Sequence, residues 1–152
     1  MAIEHNVITD PEIHEPKGIA AASTGELYVA DGGGSGSWSK PLDIITASIV
    51  DISTAGSTFI VSPYAGTITK IYSVIDGAIA TADASLTFEI AGTPVTGGTI
   101  TVAITGSAAG SVDSATPSAA NSVIAGQAIE IITDGASTNT VKATVSFIIQ
   151  RT

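Results

Sequence analysis

A chain of 152 residues has room for one domain together with an arm or a small subdomain. Its 14 acidic residues outnumber the 5 Lys and Arg, and a net charge of −9 repels phosphate backbones, which argues against nucleic acid as a direct partner. No apolar run reaches the ~18 residues of a membrane-spanning helix, and without cysteine the chain forms no disulfides or thiolate metal sites.

The composition favours β structure over catalysis. Ile, Val, Ala and Thr are abundant, whereas aromatic residues make up 5% and charged residues 12% of the chain. Small and β-branched side chains suit closely packed strands and supply few of the groups that catalysis needs. The start Met-Ala-Ile-Glu-His-Asn lacks the basic and apolar regions of a signal peptide, so we expect synthesis in a cytoplasm.

Residues 1–41 predict an extended N-terminal arm. Pro11 and Pro16 each restrict the preceding residue to extended conformations and lack an amide donor, which disfavours a helix. Further on, Ser-Thr-Gly before Leu27 and Asp-Gly-Gly-Gly after Ala30 predict a turn, a short strand and a second turn. The Gly/Ser run that follows is typical of a flexible linker, and we expect the chain to bend there between arm and body. The run ends, however, at Trp38, a residue type that linkers rarely contain.

Residues 42–152 predict an all-β body, an antiparallel β-sandwich or jelly roll. Alternation is clean at Leu86, Phe88 and Ile90. Seven or eight short strands separated by turn signals are typical of these two architectures. Loops are predicted at 76–85 and in the Ser/Ala-rich stretch 107–121. The expected strands lie in ITASIVDIS, STFIVS, TITKIYSVID, SLTFEIAG, GTITVAITG, SVIAGQAIEIITDG and NTVKATVSFIIQ.

Motifs for enzymatic or metal chemistry are weak. The two histidines, His5 and His14, are better explained as solvated side chains than as zinc ligands, because no rigid element there fixes a tetrahedral geometry. No serine stands at a recognised spacing from a histidine base, and GGGSGS lacks the lysine and helix of a phosphate-binding loop. We therefore expect no enzyme, no cofactor and no metal. Five aspartates fall mostly at strand ends, where Asp commonly forms turns: Asp51, Asp76, Asp83, Asp113 and Asp134.

The arm has the composition of a partner-binding segment. Its scattered large apolar residues cannot pack on one another, so they order against a partner or dock on the chain's own β body. We favour a partner, because aromatic residues such as Trp and Tyr dominate interface energies. The predicted anchors are Ile13, Pro16, Ile19, Leu27, Tyr28 and Trp38.

Three stretches carry a resemblance to a known family. HEPKGIAAASTGELYVADGGGSGSW resembles a segment near the N-terminus of small structural proteins of tailed bacteriophages. ITKIYSVIDGAIATADASLTFEIAGTPVTGG and DSATPSAANSVIAGQAIEIITDGAST are similar to the β domain that accompanies it. The family is that of capsid decoration, or cement, proteins. The resemblance implies a homotrimer on the outer surface of the capsid, with the major capsid protein as partner.

A phage head-fibre or tail-associated module that binds a host receptor or carbohydrate is an alternative. Such modules use exposed aromatic rings that stack on sugars. The β body supplies five aromatic residues, and alternation predicts that some of them lie inside: Phe59, Tyr64, Tyr72, Phe88 and Phe147.

Overall fold

The computed structural model describes residues 22–33 and 36–152, all of whose regular elements are β-strands. The chain divides into two units, Met1–Pro41 and Leu42–Thr152. In the described part of the first unit, β1 (Leu27–Ala30) pairs with β2 (Gly36–Ser39) in an antiparallel hairpin. The second strand corrects the prediction of a flexible linker for Gly36 and Ser37, because both residues belong to β2.

The body, residues 42–152, consists of two antiparallel five-stranded sheets. The first sheet has the order β10–β5–β12–β3, with β9 pairing beside β10 along β5, and the second has the order β4–β11–β6–β7, with β8 also on β6. This arrangement confirms the predicted all-β sandwich. The strand bounds are β3 Leu42–Ile49, β4 Gly56–Val61, β5 Gly66–Ile75, β6 Ala84–Ile90, β7 Thr93–Pro94, β8 Ile100–Val102, β9 Val112–Ala115, β10 Ser122–Val123, β11 Ala128–Thr133 and β12 Ala143–Arg151.

The core lies between the two sheets and follows the alternation of the strands. Leu86, Phe88 and Ile90 of β6 are buried, as predicted. The rings of Phe88, in the second sheet, and Phe147, in the first, meet edge to face with centroids 5.4 Å apart. Such a pair adds about 0.5–1.5 kcal/mol to the free energy gained by burying each ring. The contact therefore joins the two sheets near the centre of the body.

An irregularity in β5 breaks the simple alternation. The register between β5 and β12 shifts between Ile148 and Ile149, which leaves one additional residue on β5. Ile68 and Ile71 are both fully buried although they lie three positions apart, a spacing that a regular strand would place on opposite faces. The bulge thus keeps both isoleucines in the core and turns Tyr72 outward.

The aspartates at strand ends hold loops through backbone hydrogen bonds. Asp76, Asp83 and Asp134 accept hydrogen bonds from the backbone amides of Lys142, Ile104 and Ser85, at 2.8, 2.7 and 3.0 Å respectively. Asp113 differs, because it lies within β9, in the stretch predicted to be a loop. The prediction was wrong for residues 112–115, which form an edge strand on β5.

Candidate partner-binding surfaces

The hairpin has an aromatic face and an aliphatic face. Tyr28 is opposite Trp38 in the register, and side chains alternate along a strand, so both rings lie on one face. Leu27 and Val29 lie on the other face, opposite Ser39 and Ser37. The structure therefore brings two of the predicted anchors together and places a third, Leu27, on the reverse side.

The aromatic face is a packed pair. The rings of Tyr28 and Trp38 meet at 63° with centroids 5.3 Å apart. Gly36 lies beneath the tyrosine: a Cβ at this position would come within 2.9 Å of Tyr28 Cε1 and closer still to the carbonyl oxygen of Val29. The ring can cover the backbone only because residue 36 has no side chain. The glycine that resembled part of a linker is thus a packing residue.

Local hydrogen bonds define both ends of β1. The Ser23 amide donates to the Glu26 carboxylate at 2.6 Å, and the Glu26 amide donates to the Ser23 carbonyl at 3.1 Å. After the strand, the Gly33 amide donates to Asp31 Oδ1 at 2.8 Å, and Gly32 has a φ of +78°, which favours glycine. The turn predicted before the strand is therefore formed by the residues that predicted it, and Asp31 to Gly33 bend the chain after the strand.

The aliphatic face is open to solvent. Leu27 is 58% exposed and Val29 is 52% exposed. On the aromatic face, Trp38 Nε1 is shielded from solvent, and no hydrogen-bond acceptor for it lies among residues 22–33 and 36–152. The remaining predicted anchors, Ile13, Pro16 and Ile19, lie outside the described residues, as do both histidines.

The body carries a second exposed apolar surface, on the outward side of the first sheet, which we call the apolar face. Ile44 on the edge strand β3 is 65% exposed, and Val112 on β9 is 61% exposed. Between them, the central strand β12 carries the small residues Thr144 and Ser146. A groove of about 340 Å³ runs over these small residues. It is lined by Ile44, Tyr72, Ser73, Val74, Val112, Thr144, Ser146 and Ile148.

Charged side chains border the apolar face. Lys70 Nζ donates to Thr116 Oγ1 at 2.9 Å and lies 5.7 Å from the centroid of the Tyr72 ring. A second groove, of about 710 Å³, shares Val74 and Thr144 with the first and is also lined by Lys142 and Asp76. The centre of the face is therefore uncharged, and lysines stand toward its two ends.

Sequence reasoning did not find the apolar face. The sequence did contain a signal for it, because large apolar residues occur on both faces of β3. Leu42 and Ile44 point to one face, and Ile45 and Ile49 point to the other. A strand with one solvated face carries polar residues in one set. A strand apolar on both sides indicates a second buried contact for one of its faces.

Arg151 and Asp43 form an ion pair that joins the end of β12 to β3. The guanidinium donates through Nη2 to Asp43 Oδ1 at 2.9 Å and through Nε to Oδ2, and it also stacks 3.7 Å from the Tyr64 ring centroid. The hydrogen bonds from Arg151 hold the pKa of the Asp43 carboxyl below its ordinary value, although partial burial opposes this shift. The charges of Arg151 and Asp43 neutralise each other, which is typical of an ion pair that stabilises the fold.

Asp51 is the most strongly perturbed acid of the body. Its carboxylate accepts hydrogen bonds from the Ser53 hydroxyl and amide at 2.7 and 2.9 Å, from the Thr54 hydroxyl and from the Val141 amide. These donors, led by Ser53, lower the pKa of Asp51 to about 2. All four are neutral groups of two neighbouring segments, so the carboxylate connects the β3–β4 loop to the residues before β12. Among residues 22–33 and 36–152, no group of three His, Cys, Asp or Glu side chains is placed to hold a metal ion.

In comparisons with known proteins, no family model and no curated protein matches the sequence. In the part of the chain that the structure describes, no helix has the length and apolarity to cross a membrane.

Proposed function

We propose that this protein is a non-enzymatic structural protein of a bacteriophage virion. It decorates and stabilises the outside of the capsid, with the major capsid protein as its partner, and it acts as a homotrimer. The three stretches that resemble capsid decoration proteins support this proposal. The observation that carries it is the hairpin, a small element in a unit of its own that exposes Leu27 and Val29 side by side.

The hairpin has two means of attachment. A two-stranded sheet has two open edges, and each edge can pair with an extended segment of another protein. The exposed aliphatic pair can fill an apolar pocket while the Tyr28–Trp38 pair keeps the strands in register. If three hairpins leave one trimer, their joint binding can exceed that of a single hairpin by about 10² to 10⁴.

The test uses phage heads produced without this protein. Wild-type protein and the double variant Leu27→Ser/Val29→Ser are mixed with the heads, and occupancy is measured by co-sedimentation and electron microscopy. We expect wild-type density on the shell and a loss of occupancy on the order of tenfold or more in the variant, because the two serines remove the apolar area that Leu27 and Val29 would bury against the shell. Val61→Ser, an equally conservative change at an exposed position of β4, is the matched control and retains occupancy.

Two results would count against the proposal, in different ways. Absence of wild-type protein from the heads contradicts capsid decoration. Binding that survives the double variant, with the control also bound, leaves decoration standing and contradicts attachment through the aliphatic face.

Exposed aromatic rings support a second candidate, a fibre or tail module that binds carbohydrate. Phe59, Tyr64 and Tyr72 are exposed, while Phe88 and Phe147 are buried. The geometry is unfavourable, however. Phe59 and Tyr72 face outward from opposite sheets, and the Arg151 guanidinium occupies a face of Tyr64. Specific retention on a glycan array, abolished by Tyr72→Ala, would favour this candidate over decoration.

A further inference from the structure

We propose that the apolar face of the first sheet is the surface through which copies of this chain associate. The occupant of the face is a second copy of the same protein. This inference locates the subunit contact of the homotrimer proposed above, but it is carried by the body alone and is tested without a capsid.

The shape and chemistry of the face fit a protein contact. The large side chains of Ile44 and Val112 border the face on two sides, and the smaller Thr144 and Ser146 lie between them. The surface is therefore a shallow groove. Ile44 pairs with Ile148 across β3 and β12, and Val74 pairs with Val112 across β5 and β9, which makes two apolar rows. Contiguous apolar surface of this kind on a small protein is typical of an interaction site.

Two of the three basic residues of the body lie at the border of the apolar face. The body has eight acidic and three basic residues, so two copies repel each other over most of their surface. Arg151 is neutralised by Asp43. The two remaining cations, Lys70 and Lys142, both border the apolar face. Asp76 lines the same groove as Lys142, so the border of the face carries both signs of charge, and the two lysines can face acidic residues of the neighbouring copy.

The area of the face suits a contact repeated around a symmetry axis. Four strands at about 4.8 Å spacing and eight residues at about 3.3 Å per residue give a face of roughly 19 by 26 Å. This projected area, roughly 500 Å², falls below the roughly 800 Å² per partner of a standard stable complex. A single contact of this size is small for a stable dimer. Around a three-fold axis, each copy can turn the face toward the axis and touch two neighbours, which increases the buried area.

Sedimentation of the full chain over a range of micromolar concentrations tests the proposal. We expect wild-type protein to sediment as an oligomer. Ile44→Lys and Val112→Lys each weaken self-association on the order of tenfold or more, because a lysine at the contact is desolvated without a partner. Phe59→Lys is the matched control: Phe59 is 62% exposed on the outward side of the second sheet, and this variant keeps the wild-type oligomer.

The two test positions lie on different strands, so a folding defect in one variant leaves the other to decide. Circular dichroism verifies the fold of each. A wild-type chain that stays monomeric overturns the proposal. The proposal is also overturned if Phe59→Lys dissociates while Ile44→Lys and Val112→Lys remain associated. That result would place the contact on the second sheet. Loss of head binding in a chain that still self-associates concerns the proposed function alone.

Discussion

Trp38 and Tyr28 face each other across the β1–β2 hairpin, one on each strand, with their ring centroids 5.3 Å apart. Trp38 is therefore a structural residue of the hairpin as well as a predicted anchor for a partner. Removing the indole affects both roles, and a test of attachment that used Trp38→Ala alone would mix them. The hairpin, the attachment and the body therefore need separate measurements.

Trp38→Ala is expected to lower occupancy on phage heads and to leave the melting temperature of the body unchanged. The pair with Tyr28 is worth about 0.5–1.5 kcal/mol, and this energy lies within the hairpin. Head binding and circular dichroism melting are measured on the same variant, with Trp38→Phe, which keeps a ring against Tyr28, as the control. A clear drop in melting temperature for Trp38→Ala would mean that the indole stabilises the body, contrary to its assignment as an anchor.

Gly36→Ala is expected to open the hairpin. The added Cβ would lie 2.9 Å from Tyr28 Cε1, so the ring or the strand must move. Gly33→Ala is the matched control, because a Cβ there would have its nearest neighbour, Asp31 Oδ1, at 3.5 Å, which is ordinary contact. Hydrogen exchange of the β1 and β2 amides should accelerate in the first variant only. Equal protection in both variants would show that Tyr28 does not cover residue 36 in solution.

Residues 42–152 are expected to fold without the preceding segment. Every strand of the two sheets, and every buried core residue that the structure describes, belongs to residues 42–152. The truncated chain should keep a β-type circular dichroism spectrum and a cooperative thermal transition. An unfolded truncation would show that residues before Leu42 complete the core.

Asp51 makes the free energy of unfolding depend on pH in the acid range. Its pKa is lowered from 3.8 to about 2 in the folded chain, chiefly by the Ser53 hydrogen bonds, so its contribution is present above pH 4 and is lost as the pH falls toward 2. Asp51→Asn should be less stable than wild type at neutral pH, and the difference should shrink across this window. Urea unfolding at a series of pH values measures it. A difference that stays constant with pH would mean that Asp51 stabilises the loop without its charge.

The core was predictable because it depends on local alternation. Leu86, Phe88 and Ile90 alternate with polar residues, and all three are buried. The outward turn of Tyr72 was not predictable in this way, since it depends on the extra residue that β5 carries opposite β12. A bulge depends on how a strand pairs with a distant strand, so it cannot be predicted from the alternation of residues within one strand.

Part of the hairpin surface was predictable and part was not. Leu27, Tyr28 and Trp38 stand out by residue type in a segment rich in Gly and Ser. That Tyr28 meets Trp38, while Leu27 faces away, follows from the register of the two strands, which no pattern within one strand specifies. The apolar face depends on pairings between residues as far apart as Ile44 and Ile148, which no local pattern specifies.

The position of β12 has a consequence for how the chain is made. It is the last strand of the body to leave the ribosome, yet it lies between β5 and β3 at the middle of its sheet. Until β12 is synthesised, β3 has no partner in that sheet, and the edge of β5 that faces away from β9 and β10 is unpaired. The first sheet can therefore close only once β12 is available, and chains whose β3 and β5 are still unpaired are open to chaperones and to one another.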